Sequence, residues 1–157
     1  MSQSEARTAR VFEHSVEIPA EASLQIWQAW CALSHWPDWD ASLRGVIAAE
    51  DGLALGKGFA VVPKAAPAPI PVNVTALEEG RHFTTSSISP MGMLSFGHSI
   101  RETAGTACAQ VTHSVSAVAT GDAPIPDMIW ERLRSDVVES VTALARIATL
   151  QNDEVGA

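Results

Sequence analysis

The chain has 157 residues, and 46% apolar against 18% charged residues is the balance of a folded domain, which excludes a wholly disordered protein. Ten Lys and Arg against eighteen Asp and Glu leave a formal charge of −8. Phosphate binding needs clustered cations, so this acidity argues against nucleic acid and against an anionic membrane surface. Cys31 and Cys108 lie far apart, with no CxxC and no paired Cys/His spacing, which predicts two half-buried thiols in a reducing compartment. No apolar run approaches the length of a membrane span, and Met1 to Arg10 lacks the apolar stretch of a secretory signal. The expected location is cytoplasmic, without membrane insertion.

The first strong pattern is an alternation from Arg10 to Ile18, with Phe12, His14, Val16 and Ile18 on one face. That predicts a strand closed by Pro19. From Glu21 the apolar residues Leu24, Trp27 and Cys31, with Ile26, Trp30 and Leu33 beside them, move to helical spacing. Pro37 ends or kinks this helix, and Trp36 to Leu43 predicts a second short one. Six strands then follow, over Arg44–Glu50, Lys57–Val62, Val72–Glu78, Arg81–Ser89, Met93–Thr103 and Thr106–Ala119. Gly-bearing turns at Asp51-Gly52, Glu79-Gly80 and Ala104-Gly105 separate several of them, and Pro63–Pro71 and Ser89–Gly92 are looser breaks. Pro126 then suits the first turn of a long helix whose stripe is Ile129, Leu133, Val137, Val141, Leu144 and Ala148. The expected fold is α+β, a seven-stranded antiparallel sheet curved around a long C-terminal helix, with two short helices after the first strand. A single domain is expected over residues 8–151, with flexible termini at 1–7 and 152–157.

This order resembles the START-like, or SRPBCC, helix-grip superfamily, and within it the polyketide cyclase/dehydrase and lipid-transport group. The resemblance rests on Val16-Glu17-Ile18-Pro19-Ala20-Glu21-Ala22 leading to Ile26-Trp27 and Trp36-Pro37-Asp38-Trp39-Asp40, on Gly97-His98-Ser99-Ile100 with Val111-Thr112-His113, and on the closing helix. The Pro63–Pro71 stretch is richer in Pro and Ala than the resemblance leads one to expect. The resemblance implies a cavity between sheet and helix that holds a hydrophobic small molecule. It also implies that two loops act as gate and latch. These are Pro63–Pro71, with Pro67 and Pro69, and Ser89–Gly92, with Pro90 and Met91. Alternate hairpins of a meander emerge at one end of a sheet, so these two loops should be neighbours.

Strand parity places Phe96, His98 and Ile100 on one inner face and Val111, His113 and Val115 on the next, with His14 inward on the first strand. Phe83 and, from the helix, Leu133, Val137 and Val141 complete the expected lining, with Trp130 near the mouth. The Ala104-Gly105 turn brings His98 and His113 close to facing each other. Two neighbouring imidazoles in apolar surroundings should not both be charged, so one neutral donor and one neutral acceptor are expected to point at a ligand oxygen. Four tryptophans, at 27, 30, 36 and 39, read either as an aromatic wall or as anchors, and Trp27 and Trp39 are expected as anchors. Asp38 and Asp40 sit at a turn and read as solvated, and paired carboxylates are not expected on the inner face. No HxH, HxxxH or HExxH spacing, nucleophile elbow or phosphate loop occurs, so no metal and no cofactor is expected. The leading expectation is binding of a hydrophobic or aromatic small molecule, lipid or polyketide-like. The alternatives are a cyclase or dehydratase using His98 or His113 as acid/base, and a module that forms a homodimer.

Overall fold

Period-two alternation makes the first strand amphipathic, and a continuous partner strand pairs with one side of its backbone. In the computed structural model, which describes residues 9–66, 68–89, 92–121 and 123–155, β1 spans Ala9–Pro19. It pairs along its whole length with β7, Cys108–Ala119, from Ala9↔Val118 to Pro19↔Cys108. Pro19 then turns the chain through a 3-10 turn, Ala20–Ala22, into α1, Ser23–Cys31. A 3-10 stretch, Leu33–Asp38, carries Pro37, which cannot donate to a longer helix. Cys31 and Cys108 are free thiols, each half-buried.

The remaining strands are β2 (Leu43–Ile47), β3 (Gly58–Pro63), β4 (Ile70–Glu78), β5 (His82–Ser89) and β6 (Gly92–Glu102). With β1 and β7 they form one antiparallel sheet in the order β1-β7-β6-β5-β4-β3-β2. Register shifts between Leu43 and Gly45 and between Val74 and Ala76 bend it, since each bulge adds twist to one strand. The long helix α2, Asp127–Val155, lies over β1 and β7 and packs on α1. This is the helix-grip fold that the element order predicts.

Several boundaries differ from the sequence reading, each for a local reason. β2 stops at Ile47, short of Glu50, because the Lys57 ammonium donates to the carbonyls of Glu50 and Gly52 at 2.9 and 2.7 Å and gathers that segment into a loop. Pro63 closes β3, and β4 begins at Ile70 with Pro71 opposite Ala60, near the strand's start where a missing N–H is tolerated. The second short helix is the 3-10 stretch Leu33–Asp38, earlier than Trp36–Leu43. α2 runs on to Val155, past the expected boundary at residue 151. No helix among the described residues is long and apolar enough to cross a membrane.

The interior has two apolar clusters. The larger joins Ile18, Ile26, Trp30, Leu33, Phe83, Val111, Val141 and Leu144, and the smaller joins Val115, Ala117, Ile125, Trp130 and Val137. Gly92 opens β6 at a φ of 142°, and a Cβ there would collide with the carbonyl oxygen of Val118 on β7. Gly105 also has positive φ, 77°, but open space around it. Gly92→Ala should therefore cost more than Gly105→Ala in urea unfolding. Gly105→Ala bears only the backbone penalty of about 1 kcal/mol, while Gly92→Ala adds the displacement of a strand, for a total of roughly 2–4 kcal/mol. Equal costs would show that β6 and β7 can part at this end.

Candidate functional site

Because α2 covers β1 and β7, the other side of the sheet is left for smaller elements to close. A cavity of about 410 Å³ lies there, between the first half of α2 and strands β3 to β7. Trp36, Trp39, Val72, Phe96, Leu133 and Val137 give it a largely apolar wall. Lys64, Ala65 and Arg132 are exposed and mark its mouth, whereas Trp36, Val72, Thr85, His98 and His113 are buried and form its interior.

His98 and His113 are direct partners across β6 and β7, with ring centroids 4.8 Å apart. The indole N–H of Trp30 donates to His113 Nε2 at 3.3 Å. An indole can only donate, so Nε2 is the bare nitrogen and Nδ1 carries the proton, which it donates to Ser140 Oγ at 2.9 Å. The Ser140 hydroxyl in turn donates to the Val137 carbonyl at 3.3 Å. His98 lies flat on Phe83, with centroids 4.0 Å apart and planes 2° from parallel. Its Nδ1 faces the Phe83 carbonyl at 3.4 Å, and since a carbonyl only accepts, Nδ1 is the protonated nitrogen. The Phe96 carbonyl also lies near the ring, and no described residue donates a hydrogen bond to His98 Nε2, which is left as an acceptor. Burial pushes the His98 pKa down to about 3, and burial followed by the neighbouring His98 pushes that of His113 well below its ordinary value.

Two carboxyl groups also line the cavity. Asp40 Oδ1 accepts from the backbone N–H and hydroxyl of Ser42 at 3.1 and 2.6 Å, yet burial outweighs these bonds and raises its pKa. Asp136 is raised to about 6, first by burial and then by Asp40 and Glu139, with Arg132 opposing. Among the described residues no cluster of His, Cys, Asp or Glu could hold a metal ion.

Of the residues picked out in the sequence, Phe96, His98, His113, Leu133 and Val137 line the cavity. Phe83 is one layer below, under His98. Ile100, Val111 and Val141 are elsewhere, in the larger apolar cluster, because α1 fills that end of the interior. Val115 and Trp130 belong to the smaller cluster, and the Arg10 guanidinium sits 5.9 Å above the Trp130 ring, so Trp130 is not at the mouth. His14 is half-buried on β1 opposite His113 and does not reach the cavity. His113 lines the cavity with both ring nitrogens engaged by protein partners, Trp30 and Ser140, whereas His98 has only Nδ1 so engaged. Pro63, Lys64, Ala65 and Ile70 line the rim where Pro69 does not, and Pro67, Pro90 and Met91 lie outside the described residues.

Sequence reasoning missed Asp40, Asp136, Thr85, Ser87 and Ser140. It also took Trp39 for an anchor alone, whereas its buried ring is part of the wall, with an indole N–H that has no hydrogen-bond partner among the described residues. Helical arithmetic could have found two of these. Asp136 and Ser140 are one turn apart on the face that carries Leu133 and Val137, so they interrupt the apolar stripe with polar groups. Asp40 follows a 3-10 stretch and has no periodic signal.

No family model matches the chain, and no curated protein matches it. Solved structures do. Ara h 8.0201 superposes with a TM-score of 0.67 at 16% identity, covering 90% of this chain and 98% of that one. XoxI from Bacillus cereus gives 0.66 at 17%, covering 89% and 95%. A protein from Deinococcus radiodurans gives 0.62 at 19%, covering 90% and 99%. The chain shares the helix-grip fold of these structures. At these identities the likeness is one of fold, and the site must be argued from its own residues.

The buried histidines of this helix-grip interior make stability depend on pH. In the unfolded chain His98 takes up a proton below 6.5, whereas in the fold it stays neutral until about 3. Unfolding therefore binds protons across that interval, and His98 makes stability fall as pH drops from 6.5 toward 3. Asp136 acts in the opposite sense, because its folded value of about 6 lies above its ordinary 3.8, so its contribution is lost as pH rises through 6. His98→Gln should make the acid limb shallower by about 1.4 kcal/mol per pH unit around pH 5, the worth of one proton. Urea titrations at successive pH values measure this, and an unchanged slope would mean that His98 is protonated in the folded protein.

Proposed function

We propose that the protein binds a hydrophobic, aromatic small molecule in the cavity between sheet and α2, and that His98 Nε2 accepts a hydrogen bond from a ligand hydroxyl or N–H. The observation that carries this reading is one open acceptor in an aromatic and aliphatic wall. Apolar burial supplies affinity, and a single placed polar group supplies orientation. The tautomer matters for specificity. With Nδ1 committed to Phe83, His98 offers an acceptor alone, which favours phenols and alcohols over ketones and ethers. A planar body fits among Trp36, Trp39 and Phe96, where offset or edge-on contact between rings is favourable. Lipid or polyketide-like ligands remain the finer form of this proposal, with phenolic polyketides fitting the acceptor best.

A second reading is an acid–base enzyme, and one observation favours moving its chemistry away from the histidines. A histidine with a pKa of about 3 is neutral and a weak base near neutrality, whereas Asp136, at about 6, exchanges its proton in the physiological range. Any proton transfer would then run through Asp136.

Isothermal titration with naphthalene, 1-naphthol and 1-methoxynaphthalene tests the binding proposal. 1-Naphthol should bind about tenfold more tightly than 1-methoxynaphthalene, the worth of one buried hydrogen bond. His98→Phe keeps a ring against Phe83 and should abolish that preference while leaving naphthalene affinity nearly unchanged. Equal affinities for the naphthol and its methyl ether in the native protein would remove His98 from the site.

A further inference from the structure

The mouth of the cavity is acidic on the inside and basic on the outside. Asp40, at the start of the turn into β2, and Asp136, on α2, come from separate elements and line the same apolar space, both half-buried. Each adds to the negative potential at the other's side of the cavity, and Asp40 raises the pKa of Asp136. Lys64, on the β3–β4 connection, and Arg132, one turn before Asp136, are exposed, and neither forms an ion pair with either carboxylate among the described residues. Glu139, further along α2, is exposed and adds negative charge. Deeper in, His98 and His113 are neutral, so the cation that acts on Asp136 is Arg132 at the exposed rim.

From this arrangement we propose that the ligand is an amphipathic amine, its basic nitrogen held at the mouth between Asp40 and Asp136 and its apolar body reaching inward. The inference rests on the small-molecule reading above and names its ligand class. Two like charges in a poorly hydrated place repel each other and lose solvation, and a cation between them relieves both costs. Asp40 is already oriented by the two hydrogen bonds from Ser42, which leaves Oδ2 for a ligand. The acids alone would be only an acidic cluster. The independent sign of a ligand is His98, 7% exposed, which lines the same cavity and whose Nε2 receives no hydrogen bond from the described residues. The two polar positions suit opposite ends of one molecule, with an O–H or N–H donor at the floor and an ammonium at the mouth. A carboxylate ligand could meet Lys64 and Arg132 only at the surface, and entering further would bring it against both acids.

The test is isothermal titration with three probes of one aromatic body, 2-(1-naphthyl)ethylamine, 2-(1-naphthyl)ethanol and 1-naphthylacetate. The amine should bind about tenfold more tightly than the alcohol, the worth of a charge-assisted contact in partial shelter, and the acetate should bind most weakly. Asp136→Asn should bring the amine down to the level of the alcohol and leave the alcohol unchanged. Asp40→Asn should reduce the amine in the same direction, and circular dichroism of both variants establishes that the fold survives. The preference for the amine should shrink as pH falls through 6, where Asp136 gains its proton; the other charged groups that act on it are Asp40, Glu139 and Arg132. Equal binding of amine and alcohol, or strongest binding of the acetate, overturns the amine assignment and leaves the small-molecule reading in place. Failure of all three probes to bind overturns that reading as well.

Discussion

A neutral imidazole holds the interior together. Trp30 of α1 donates to His113 of β7, His113 donates to Ser140 of α2, and Ser140 donates to the Val137 carbonyl. The direction of this chain has no freedom, since an indole begins it and a carbonyl ends it. A protonated His113 would turn its acceptor nitrogen into a second donor facing the indole N–H. The relay therefore requires the low pKa that burial imposes, and it fixes three elements at one point in the core. Polar groups buried in this way stabilise modestly when paired but cost heavily when one partner is removed.

The relay also divides filled space from hollow space. On one side α1 inserts Ile26 and Trp30 between the sheet and the second half of α2, where Val141 and Leu144 are fully buried. On the other side no helix of that size intervenes among the described residues, and Trp36, Trp39 and the rim of β3 and β4 close the space incompletely. Val137 is at the boundary, packed in the smaller cluster and also facing the cavity. The position of a single short helix thus decides which end of the grip can be occupied by a guest.

Much of this architecture could be read from residue periodicity, because the strands and α2 each have one wet and one dry face. The alternation in β1, the Gly turns and the helical stripe from Leu133 to Leu144 all point to elements that the structure contains. The pairing of His98 with His113 follows from the tight turn between their strands. Their different roles do not follow, since these depend on where Trp30, Ser140 and the Phe83 carbonyl arrive in space. Parity marks Val111, Val115, Phe96 and His98 alike as inward, but cannot say which inward residues meet α1 and which meet empty volume. Asp40 was illegible for a further reason. A turn residue with no period looks solvated in sequence, and only the closing of β2 and α2 around it makes it half-buried.

The charge pattern of the interior follows from the same burial acting on groups of opposite type. Desolvation lowers the imidazoles and raises the carboxyls, so both are driven toward their uncharged forms. For His98 this holds at any pH above about 3, and burial with the neighbouring His98 lowers His113 in the same direction, so the floor of the cavity stays neutral throughout the physiological range. For Asp136 the neutral form ends near pH 6, above which the mouth gains negative charge while the floor does not. A gradient from anionic mouth to neutral acceptor floor is therefore a property of the protein above pH 6, set first by depth and then by the neighbouring charges. The relay keeps the floor neutral for the sake of packing, and the mouth becomes acidic because water reaches it, so one distribution of burial fixes both the stability of the grip and the polarity of the guest that it favours.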